Sequence, residues 1–139
     1  MRYMFLTSGA ETGLIPPQRM IDAIEKLSEQ EMAAGRMIAR GGLMPTAMGG
    51  ARIESRRGKI KVTDGPFAES KEVLGGFAIF EFATREEALA AAESFMDLHR
   101  QHWPEWEGVC EMRPMFGFGA AHGCAVIEGE AKLRAEAHP

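Results

Sequence analysis

Two cysteines in 139 residues, Cys110 and Cys124, set the first limits on this chain. They form no CxxC pair and stand beside no histidine ladder, which excludes a disulfide framework and a zinc finger. A reducing cytoplasm is the expected compartment. Long apolar runs are absent: none comes near the ~20 residues of a membrane-spanning helix. The opening MRYMFLTSG breaks too soon for a secretory leader and reads instead as a first strand. Positive charge has no surplus, with sixteen Lys and Arg against twenty Asp and Glu, a formal net charge of −4 and a pI of about 5.6. Nucleic acid, which needs a cationic surface, is therefore not an expected partner. No GxSxG elbow is present, which argues against a hydrolase of that type. Gly117, Gly119 and Gly123 miss the dinucleotide-loop spacing by one residue, with too little chain after them for a nucleotide domain.

What remains is an ordinary globular composition, 45% hydrophobic and 26% charged, of a length that fits one domain with a true core. Residues 1–8 alternate Tyr3, Phe5 and Thr7 with Met4 and Leu6, a strand apolar on both faces. Met20, Ile21, Ile24 and Leu27 recur at helical spacing over 18–34, and Gly35 follows as a C-cap. A short strand begins at 36. The segment 51–64 alternates Ile53, Ser55, Ile60 and Val62 with charges about Gly58, which predicts a half-exposed hairpin. Its local run of basic residues reads as the polar face of that hairpin. Residues 75–83 form a strand with Phe77, Ile79 and Glu81 on one side and Ala78, Phe80 and Phe82 on the other. Thr84 and Glu87 make a capping box for a helix running to about 102. In the last strand Cys110 and Met112 face one way, and Val109, Glu111 and Arg113 the other.

The order, once the hairpin is set aside, is β-α-β-β-α-β. This predicts an α+β, ferredoxin-like sheet with helices on one face and a β-hairpin inserted. The other face needs a cover, and a second copy of the chain supplies it, so a homodimer with sheets face to face is expected. The domain is expected over 1–118, with 119–139 a tail that holds at most a short docked helix.

The run VTDGPFAESKEVLGGF at 62–77, with MRYMFL at the start and EMRPMF at 111–116, resembles the YCII-related family, and within it the branch named after DGPF. The resemblance covers about 1–117 and implies a dimeric α+β barrel. Relatives of that architecture isomerise, open or dehalogenate aromatic breakdown products, which implies a small organic acid as ligand. Genes of the branch often lie beside those for extracytoplasmic-function sigma factors, which implies a regulatory alternative. Shorter members carry a suspected catalytic histidine in the first helix. With the helices aligned on AAGR at 33–36, that position holds Ile24 here, so the site does not transfer.

Other residues must then carry any chemistry. Asp64, ahead of Gly65 and Pro66, and Glu69 are candidates for a general base and its partner, with Arg52 and Lys71 holding a substrate carboxylate and Phe67 walling the pocket. The plainer alternative has Asp64 capping its own turn and Phe67 plugging the loop into the core. His99 is the best proton-transfer candidate, since it lies on the helix stripe of Ala88, Ala92 and Phe95. A histidine so placed also serves as a core residue bonded to backbone. His99 and His102 alone make no metal site, and no cofactor or metal is expected. Trp103 and Trp106 are read as packing, and the ten methionines as gap fillers. The reading is thus a homodimer that binds a small organic molecule, either as a cofactor-free isomerase or lyase or as a non-catalytic ligand-binding or regulatory module.

Overall fold

The computed structural model describes residues 1–67 and 72–116. Its elements run β1 (Arg2–Gly9), α1 (Gln18–Ala33), β2 (Met37–Gly42), β3 (Ala51–Arg56), β4 (Lys59–Asp64), β5 (Val73–Glu81), α2 (Arg85–His102) and β6 (Gly108–Pro114). Among the described residues four strands form one antiparallel sheet in the order β2-β5-β1-β6, while β3 and β4 pair only with each other. The first and third strands of the β-α-β-β-α-β frame lie at the centre, the ferredoxin-like order. The fold is α+β with an inserted hairpin, as the sequence predicts.

Local chemistry explains each boundary. Pro17 caps α1 at its start, where a missing N–H costs nothing. Gly35, at φ +74°, takes the left-handed position that ends the helix. At the start of α2 the Thr84 hydroxyl accepts from the Glu87 amide at 3.2 Å. The Glu87 carboxylate returns to the amide of Ala83 at 3.2 Å, one residue ahead of the usual capping-box partner. Arg57 and Gly58, both at positive φ, close the β3–β4 turn with the twist a two-residue hairpin needs.

Strand alternation separates the sheet into two faces. Tyr3, Phe5 and Phe80 point to the helices and pack with Phe82, Ala88 and Ala92. Phe5 and Phe80 approach to 4.8 Å between ring centres, and Phe80 and Phe82 to 5.3 Å. On the reverse face Met4 stands opposite Ile79, and Leu6 opposite Phe77. Among the described residues no helix covers that side, and all four are only half-buried. The Phe77 ring lies over Gly41 of β2, where an added Cβ would come within 2.6 Å of it.

Candidate functional site

The DGPF turn, residues 64–67, is held by partners remote in sequence. The Glu11 carboxylate, in the loop after β1, accepts from the Thr46 amide at 2.6 Å and the Thr46 hydroxyl at 2.7 Å. Those bonds hold the Glu11 carboxyl below its usual range. The Phe67 amide donates to the Thr46 hydroxyl at 3.3 Å, and the Gly65 amide to the Gly50 carbonyl at 2.8 Å. Three loops therefore meet at Thr46. The Gly65–Pro66 peptide bond is cis.

Within this arrangement Asp64 is exposed, and the turn amides bond to Gly50 and Thr46 rather than to its carboxylate. Phe67 is half-buried, under the Arg52 guanidinium at 4.4 Å, and is not among the core residues. The cation over the ring gives Phe67 a polar roof, a geometry favourable for Arg over an aromatic face. Glu69, Lys71 and the tail 119–139 lie outside the described residues.

His99 is elsewhere. Only 6% exposed, it follows Ala88 and Ala92 on the covered stripe of α2. Its Nδ1 lies 3.0 Å from the Phe95 carbonyl, so in the neutral ring that nitrogen carries the proton and donates. Phe95 meets the ring edge-on at 4.7 Å, and Trp106 lies against it at 4.5 Å. Trp103 stacks outside Trp106, 5.9 Å away. Burial lowers the His99 pKa, the carbonyl contact opposing it. An unfolded chain therefore takes up this proton at higher pH than the folded one. The resulting stability is complete above the unfolded value of about 6.5 and is lost as pH falls towards the folded value. Urea midpoints should fall between about pH 7.5 and 5.5. His99→Phe should flatten that slope; an unchanged slope in the variant would assign it to another group. Asp97, on the same helix, accepts from Arg100 at 2.7 Å and from Gln101 at 2.5 Å.

Cys110 is half-buried on the helix side, and burial raises its thiol pKa, the reverse of what a nucleophile needs. Among the described residues no three His, Cys, Asp or Glu side chains converge as metal ligands would. No helix among them is long and apolar enough to cross a membrane.

The open sheet face carries a constellation that the sequence does not single out. Arg113 stands opposite Met4, and Glu111 opposite Leu6, beside the apolar centre of Met4, Leu6, Phe77 and Ile79. Arg2 borders the same face, held to Glu81 at 3.1 Å, with the terminal amine 3.0 Å from the same carboxylate. Arg113 makes no hydrogen bond or ion pair with the described residues. The signal for it was the alternation of β6, which sets Arg113 and Glu111 against Cys110 and Met112.

Residues 1–96 match the YCII-related domain. An uncharacterised protein of Rhizobium meliloti (strain 1021) is 30% identical over 98 residues, spanning 70% of this chain and 74% of its own.

Proposed function

The chain belongs to the YCII-related family, and from that premise we propose that it binds a small organic acid on the open face of its sheet, in a chamber that a second copy completes. The observation that carries the reading is the composition of that face. It has an apolar centre for a hydrocarbon body and, beside it for a carboxylate, the guanidinium of Arg113, which has no hydrogen-bond or ion-pair partner among the described residues. Arg offers a planar fork that matches a carboxylate in two places, and Glu111 beside it disfavours a second negative charge on the ligand. The run Asp64, Gly65, Pro66, Phe67 supports placement in the DGPF branch.

Binding without catalysis is favoured over proton transfer. His99 belongs to the covered side of the sheet, packed between Phe95 and Trp106, while the open face is on the other side. Asp64 ends the hairpin, opposite Ala51. The two candidate bases thus belong to different parts of the fold.

Benzoate and its uncharged isostere benzamide test the reading, followed through the backbone amide signals of β1 and β6. A charge-assisted pair contributes about 1.5–3 kcal/mol. Benzoate should therefore bind at least ~10-fold more tightly than benzamide, and Arg113→Gln should remove the difference. Equal affinities in the unaltered protein, or shifts confined to α2, would overturn the assignment.

A further inference from the structure

The β3–β4 hairpin has two unlike sides. Ile53 stands opposite Val62, and Ser55 opposite Ile60, on one side; Arg52, Glu54 and Arg56 stand opposite Thr63, Lys61 and Lys59 on the other. Strict alternation of this kind belongs to a ribbon with one side packed and one side wet. Yet Ile53, Ile60 and Val62 are 64%, 68% and 62% exposed, and among the described residues the hairpin pairs only with itself. A lone two-stranded ribbon is marginally stable in water. Its foot, by contrast, is anchored, through Gly65 on Gly50 and through Arg52 over Phe67.

Charge indicates what covers it. Residues 51–64 hold five Lys or Arg against two Asp or Glu, which leaves eleven against eighteen for the rest of the chain. A cationic arm and an acidic body attract when they belong to different copies. The open sheet face is a second apolar surface without a partner among the described residues, and a two-fold axis that joins one arm to the other body covers both surfaces twice.

We propose that the hairpin is an exchange arm: its Ile53, Ile60 and Val62 side lies on the border of the open sheet face of a second copy, so that each arm walls the ligand chamber of its partner. The inference rests on the dimer of the preceding section and adds which segment closes it.

Sedimentation of the full chain from nanomolar to high micromolar concentration tests the arm. Ile60→Asp and Thr63→Asp add the same charge to opposite sides of β4. The first should weaken the dimer at least ~30-fold, as the loss of a central apolar anchor does, and the second far less. Maleimide labelling of Ile60→Cys, mapped by peptide, is the second readout and does not depend on a buried charge. The introduced thiol should be protected in concentrated protein and react on dilution. A dimer unweakened by Ile60→Asp overturns the arm and leaves dimerisation through the sheet standing. A wild-type monomer at every concentration overturns both. Slow labelling at every dilution means that the chain covers its own hairpin, which overturns the exchange.

Discussion

Met20→Ala should lower the stability of the fold by about 3 kcal/mol, the largest loss expected of any single truncation in α1. Met20 is the largest completely buried side chain among the described residues, at 0% exposure. It begins the apolar stripe of a helix whose other stripe residues, Ile24 and Leu27, are only half-buried, and whose Ile21 is exposed. Removing the thioether takes away the transfer free energy of its atoms and leaves a cavity that the surrounding backbone closes only in part. At the usual urea dependence of a small domain the midpoint should fall by ~1–3 M. Met20→Leu, of nearly the same volume, should cost less than ~1.5 kcal/mol. A Met20→Ala protein with an unchanged midpoint would mean that α1 does not bury this position in solution.

The stripe that contains Met20 was legible because helical burial writes itself into spacing over a few residues. So were the two faces of β5, the capping box at Thr84 and the turn about Gly58, all set by neighbours close in the chain. The depth of burial was less legible: Met4 and Leu6 alternate with Tyr3 and Phe5 as equals, and the helices cover one set only. The hairpin was expected to be half-exposed, and in a single chain both of its sides face solvent. Alternation records that one side is meant for contact without recording which molecule provides it.

The site was less legible still, because its parts are joined across the sequence. Glu11 and Thr46 are thirty-five residues apart, and Phe67 another twenty-one beyond. None of the three belongs to a periodic pattern. The letters around Asp64 drew attention to its carboxylate, whereas the described geometry makes the loop a junction built on Thr46. Arg113 was assigned to the correct face by alternation, but which face stayed open depended on where α1 and α2 packed.

Gly65→Ala should be nearly as damaging as the Met20 truncation, by about 3 kcal/mol, although it adds one methyl group instead of removing several atoms. A Cβ at Gly65 would run into the Thr46 carbonyl. That carbonyl cannot give way cheaply. It accepts the Gly50 amide at 3.0 Å, while Glu11 holds the amide and hydroxyl of the same residue. Either Thr46 leaves Glu11 and its buried hydroxyl loses that partner, or the turn moves away from Gly50 and takes the foot of the hairpin with it. Gly75→Ala provides the comparison, since its Cβ would meet only the Thr7 carbonyl at 3.9 Å, an ordinary contact. That change should stay within ~0.5 kcal/mol of the parent. The two outcomes also differ in kind. Gly65→Ala should shift the amide signals of Glu11, Thr46 and Phe67 together, and weaken self-association if the arm depends on an anchored foot. A Gly65→Ala protein with parental stability and an undisturbed Thr46 amide would show that the three loops do not meet as described.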